Sequence, residues 1–183
     1  AVPYATLIAL SDPNDSNGDG ISGRINWKPI PAYCQPRAGT IEINGRYICR
    51  FGKKSGAYDL LQQTANAYNQ DIGITSTFEP KDVYSGLNID PEVPDKRVHD
   101  VVFYLKTLKA PVQRTPDDPD VVAGKQIFLQ VKCGSCHVPT LQTGPSTIAA
   151  LANKTIHPYT DMLLHDMGPG LNDGYTEGTA LTS

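Results

Sequence analysis

Val131-Lys132-Cys133-Gly134-Ser135-Cys136-His137 is the stretch on which the reading of this chain turns. Two thiols stand three positions apart, and the second adjoins an imidazole. That order matches covalent c-type haem attachment: each thiol adds across a vinyl group of the porphyrin to give a thioether, and the adjacent His binds iron. A thioredoxin-like dithiol needs a strand–helix–strand context, whereas Cys133 follows helical sequence. A zinc site needs further ligands at customary spacing, and the sequence has no second Cys-x-x-Cys.

The flanks strengthen the reading. Upstream, GKQIFLQVKC (Gly124–Cys133) is similar to the first helix of cytochrome c domains, with a Gly and an aromatic, Phe128, that pack on a later helix. Downstream, Thr143-Gly144-Pro145 resembles the Gly-Pro whose carbonyl holds the ligand His in such domains. A bond of that kind would fix the tautomer of His137. One covalent haem c on Cys133, Cys136 and His137 is therefore the expected cofactor.

The other iron ligand is left open. His157, Met162, His165 and Met167 all follow His137, and His165-Asp166-Met167-Gly168 is the best local candidate. A thioether ligand would raise the reduction potential, and a second imidazole would lower it. The alternative is that His157 and His165 serve loops through ordinary hydrogen bonds.

A second motif lies near the start. In DPNDSNGDGISG (Asp12–Gly23), Asp15, Asn17 and Asp19 fall at positions one, three and five of a calcium-type loop. Gly20 falls at position six and the Ile21 carbonyl at position seven, so alternating oxygens converge where Gly permits a sharp turn. Position twelve is Asn26 in place of a bidentate Glu. A structural calcium is expected, with a polar turn held by Asx hydrogen bonds as the other reading.

Cys34 and Cys49 flank a hairpin signal and are compatible with a disulfide or with two buried thiols. The disulfide is favoured, because covalent haem points to an oxidising, periplasmic or otherwise extracytoplasmic compartment. Net charge is only −3 and no basic run exists, so nucleic acid is not an expected partner. No apolar stretch approaches the ~18 residues of a membrane span.

The periodicity predicts a mainly α fold: a cytochrome c-like haem domain plus a loop-rich helical segment with a small β-hairpin. Ala1–Leu10 is expected to be extended, and Asn44-Gly45 within Thr40–Ile48 is expected to turn a hairpin. Helices are predicted over Ala57–Asn69, over Asp95–Leu108, and from Pro119 (capped by Asp118) into Cys133. Shorter ones are predicted at Ser146–Asn153 and Asp161–His165. The Pro-rich stretch Ala110–Pro119 reads as a boundary, giving a loop-rich helical region over 1–112 and a haem domain over 113–183.

These segments together resemble the dihaem cytochrome c oxidoreductases, often labelled thiol oxidoreductases, which are relatives of bacterial dihaem cytochrome c peroxidases. The resemblance is carried by DPNDSNGDGISGR (Asp12–Arg24), RFGKK (Arg50–Lys54), LLQQTANAYNQDIGITS (Leu60–Ser76), VVFYLKTLKAP (Val101–Pro111), GKQIFLQVKCGSCHVPTLQTG (Gly124–Gly144) and IHPYTDMLLHDMGPGLND (Ile156–Asp173). Relatives carry two haem motifs where this chain has one, and Lys53 stands where relatives usually have Trp. The stretch Gly168–Ser183 has too many Gly and polar residues for a closing helix over Phe128. Further polypeptide is expected to cover that face, either the rest of a longer chain, which is preferred, or another chain; a second haem domain or a redox protein is the expected partner. The resemblance implies electron transfer with a redox partner protein, or a peroxidase-like role in which His157, His165 or Asp166 supplies acid–base help. A free dithiol oxidoreductase at Cys133 and Cys136 is the third class.

Overall fold

Asp118 and Pro119 start the helix that leads into the Cys-x-x-Cys-His stretch. In the computed structural model, which describes residues 1–172 and 174 and the backbone of 176–177 and 180–181, the Asp118 carboxylate accepts from the Asp120 N–H at 2.9 Å. Pro119 occupies the first turn, where its missing N–H costs nothing. This helix, α4, spans Pro119–Gln130. Lys132 then adopts the left-handed region (φ 62°), which ends the helix before Cys133.

The other helices are α1 (Tyr4–Leu10), α2 (Leu60–Asn66) and α3 (Asp95–Thr107). α3 matches its predicted bounds within a residue and buries Val98 and Val102, one turn apart on its apolar stripe. The mainly α expectation is corrected: helix accounts for 31% of the chain and strand for 11%, in four α-helices and small sheets among the described residues. Several apolar runs lack the means to stay helical. Ala57 is held out of the helix because it exchanges backbone hydrogen bonds of 3.0 Å with Phe51, and Tyr58 and Asp59 follow as a bend. The helix therefore begins one residue after Asp59, which caps it through Gln62 N–H at 2.9 Å. α2 then widens into a π turn over Ala67–Asp71.

Ser146–Asn153 forms only a short 3₁₀ turn, Ala149–Leu151. Asp161–His165 is not helical at all. Met162 sits at φ 62°, and Leu164 pairs in extended fashion with Arg24 through bonds of 2.8 and 2.7 Å. Ala1–Leu10 departs the other way: Pro3 sets φ −62° at the cap, and a helix follows that buries Tyr4 and Leu7, three apart on one face.

Two compact units result. The first joins Ala1–Arg24 with Lys109–Asp166. Its buried residues include Val2, Tyr4, Leu7, Leu141, Leu163 and Leu164. β4 (Leu141–Gln142) and β5 (Thr155–Ile156) pair antiparallel there. Gly144 N–H donates to the Ala1 carbonyl at 2.9 Å.

The second unit joins Ile25–Leu108 with Met167–Ser183. It holds an antiparallel sheet in the order β1-β3-β2, from Asn26–Lys28, Arg46–Cys49 and Glu42–Ile43. Asn44 and Gly45 turn the β2–β3 hairpin, both at positive φ (51° and 73°), as the Asn-Gly signal requires. Ile48, Tyr58, Ala65, Val98 and Val102 form the core around it. β6 (Thr176–Glu177) and β7 (Ala180–Leu181) are a short antiparallel pair. No helix among the described residues is long and apolar enough to cross a membrane.

Candidate haem centre

The attachment loop is a 3₁₀ turn, Cys133–Ser135, closed by the His137 N–H donating to the Cys133 carbonyl at 2.9 Å. A Cβ on Gly134 would stand 3.1 Å from Leu129 Cδ2 and 3.6 Å from Phe128 Cε1, so a larger residue there would push the exposed Leu129 side chain aside. Cys133 is exposed and Cys136 is half-buried.

His137 is exposed. Its Nδ1 lies 3.0 Å from the Tyr159 carbonyl oxygen. That acceptor favours the tautomer with hydrogen on Nδ1 and leaves the lone pair on Nε2. The expected holder was the Gly144-Pro145 carbonyl. Gly144 instead accepts from Asn153 N–H at 3.2 Å, so the sequence analogy is corrected at this point. Tyr159 reaches His137 because its own backbone is left-handed, φ 51°. Phe128 packs edge-on against the Tyr159 ring, with centroids 5.8 Å apart.

Asp161 is the residue that sequence reasoning passed over. It is buried, its N–H donates to the Cys136 carbonyl at 2.9 Å, and its Oδ1 accepts from Leu163 N–H at 3.0 Å. Its Oδ2 lies 2.8 Å from His165 Nε2, and His165 Nδ1 lies 3.9 Å from Cys136 Sγ. The signal was present as the four-residue spacing of Asp161 and His165. Gly23 lets the pair sit close, since a Cβ there would be 3.2 Å from His165 Cε1. Burial pushes the Cys136 thiol up from its ordinary value, and the negative charges of Asp161 and Asp19 add to the effect.

His157 Nδ1 lies 3.1 Å from the Pro139 carbonyl and 3.2 Å from Thr140 Oγ1, so it serves a loop. Met162 is half-buried, and Met167 is exposed and belongs to the second unit.

The donor set fits a c-type haem. Two thiols and an imidazole share one turn, and α4 leads into them without a single buried residue. Its Val122, Ile127 and Leu129 are exposed, along with Val131 just beyond it. Covering such side chains is worth ~1.5–3 kcal/mol each, and they are spread around the helix, Val122 and Leu129 on one side and Ile127 on another.

In the Asp-rich loop the oxygens turn inward. Gly20 N–H donates to both Asp15 oxygens at 3.1 Å, Asp19 N–H to Asn17 Oδ1 at 2.9 Å, and Ile21 N–H to Asp19 Oδ1 at 2.9 Å. Asn17 Nδ2 donates to Asp19 Oδ2 at 3.2 Å. The Asn17–Asp19 and Asp19–Ile21 bonds are Asx turns, and the Asp15 carboxylate closes the loop across them. Asn26 is committed elsewhere, with Nδ2 donating to the Lys54 and Ser55 carbonyls. Among the described residues no group of three or more His, Cys, Asp or Glu is placed to hold a metal.

A turn carrying Cys-x-x-Cys-His at the foot of an uncovered helix marks an oxidoreductase of the haem class, and comparison with known families agrees. The family model described as "Di-haem oxidoreductase, putative peroxidase" matches residues 1–181. The chain belongs to this di-haem oxidoreductase family, and membership implies haem binding. No curated protein and no solved structure matches it.

Proposed function

We propose that this chain is an electron-transferring c-type haem unit of a di-haem oxidoreductase, working in an extracytoplasmic compartment with a second haem domain or a redox protein as partner. Cys133 and Cys136 tether the porphyrin as thioethers and His137 binds iron through Nε2. When bound, the haem supplies a one-electron ferric–ferrous couple. The chain's own residues do the rest. The Tyr159 carbonyl holds the His137 ring in one tautomer, which keeps Nε2 a lone-pair donor. Asp161 anchors the Cys136 backbone and His165 together. The single observation that carries the reading is the 3.0 Å contact between His137 Nδ1 and the Tyr159 carbonyl, which leaves Nε2 as the lone-pair nitrogen of an exposed imidazole one residue after Cys136.

The test is the bond between pigment and polypeptide. Acid–acetone treatment is expected to leave the colour on the protein, and the intact mass to exceed that of the polypeptide by one haem. Colourless protein, or colour extracted into acetone, overturns the reading.

The Asp161–His165 pair favours a second reading, peroxide reduction. Hydrogen peroxide takes up two electrons and two protons to give two waters, and a carboxylate-oriented imidazole is suited to relay those protons. A ferric visible spectrum that changes on adding peroxide would support this reading, and an unchanged low-spin spectrum would exclude it for this haem. Calcium belongs to the first reading as a structural ion on Asp15, Asn17, Asp19 and the Ile21 carbonyl, supported by the oxygen donors and by the turn at Gly20 (φ 84°).

A further inference from the structure

Cys34 and Cys49 take no part in the haem reading, yet the second unit brings them to one place. Cys34 is 3% exposed and Cys49 is 1% exposed. Cys49 ends β3, and the chain beyond it pairs antiparallel at Phe51 and Ala57. There the Arg50 and Phe51 N–H groups both donate to the Ala57 carbonyl at 3.0 Å, which sets the residues just after Cys49 against the segment that leads into Asp59. Cys34 Sγ in turn lies 3.7 Å from Asp59 Oδ1. The Pro-flanked loop that carries Cys34 and the central strand that ends at Cys49 therefore both meet the Ala57–Asp59 segment. Neither is disulfide-bonded in this structure.

We propose that Cys34 and Cys49 are the reduced half of a disulfide couple that staples the Pro31–Pro36 loop to β3. The oxidant is a small disulfide of the glutathione class. The two thiols lose two protons and two electrons, one S–S bond forms between Cys34 and Cys49, and the oxidant's S–S bond breaks to give two thiols.

The surroundings set when the bond forms. Burial, then the adjacent Asp59 carboxylate, push the Cys34 thiol up to about 12, and Cys49 is near enough to add to the effect. Exchange proceeds through the thiolate. The folded, reduced pair is therefore slow to oxidise, and the bond closes while the loop is still open during folding. Once buried, it is shielded from reductant.

The experiment uses the purified chain, unfolded, refolded in a glutathione redox buffer and digested with trypsin without reductant. Ile25–Arg37 is expected joined to Tyr47–Arg50, lighter than their sum by two hydrogens. The native reduced protein is expected to form this link at least ~10-fold more slowly than the unfolded protein, because thiolate is scarce in the fold. The linked form should melt about 6–12 °C higher, from the chain entropy of the closed loop. Complete alkylation of both thiols after refolding, glutathione on a single cysteine, or a link from Cys34 to Cys133 or Cys136 overturns the proposal. Because the link is mapped by peptide, its failure is distinct from any failure of haem attachment.

Discussion

His165 is held by Asp161: Nε2 and Oδ2 are 2.8 Å apart, and the far nitrogen of the same ring faces Cys136 Sγ at 3.9 Å. The carboxylate is buried and also accepts from Leu163 N–H, so it fixes the turn as well as the imidazole. Asp161→Ala removes both contacts and leaves buried donors unmet. A loss of about 1–3 kcal/mol is expected, read as a lower thermal midpoint. Asp161→Asn keeps the shape and should cost less. If both variants melt with the parent protein, the pair does not brace the site.

The Tyr159 carbonyl offers a cleaner test of the His137 contact, because the acceptor is backbone. Tyr159 stands at φ 51°, a region hostile to β-branched side chains. Tyr159→Gly and Tyr159→Val both lose the ring against Phe128, so their difference isolates the backbone. The Val variant is expected to be less stable than the Gly variant by about 1–2 kcal/mol. It should also shift the midpoint potential of the bound haem relative to the Gly variant, since the carbonyl is forced off His137 Nδ1. Equal potentials in the two variants would show that this contact does not tune the iron.

These two contacts also show where sequence reading succeeds and where it stops. Local chemistry was legible. Asn44-Gly45 demanded a primed turn, Asp118-Pro119 demanded a helix start, and the Val98–Val102 stripe demanded α3. Distant pairings were not. Ala57 and Leu164 read as helical by periodicity, but the extended partners Phe51 and Arg24 lie 6 and 140 positions away and claim their backbone bonds. The Tyr159 carbonyl was invisible for a related reason. Any residue carries a carbonyl, and only the fold decides which one meets His137.

The Asp15–Ile21 loop separates two sources of order, its own Asx turns and a bound cation. Titrating calcium into chelator-treated protein is expected to raise the thermal midpoint. At 100 times the dissociation constant the gain is about 2.7 kcal/mol, or several degrees for a chain of this size. Asp19→Asn weakens the site by removing one charge, and should require more calcium for the same rise. A midpoint indifferent to calcium and chelator would leave the loop to its turns alone.

Alkaline stability depends on two groups in the second unit. Cys34 is raised from an ordinary 9.0 to about 12 by burial and then by Asp59, with Cys49 and Glu79 adding to the effect. Burial also raises Tyr33, whose hydroxyl donates to Glu79 Oε1 at 2.6 Å. The sign is the same for both. The folded state keeps a proton that the unfolded chain releases, so the stabilising contribution is complete below the ordinary value and fades as pH rises through the folded one. Thermal midpoints are therefore expected to fall between pH 9 and about 12. Tyr33→Phe removes one titrating group and should flatten the fall. Closing the Cys34–Cys49 bond removes the thiol and should flatten it further. A wild-type midpoint that stays level across this range would show that neither proton is held by the fold.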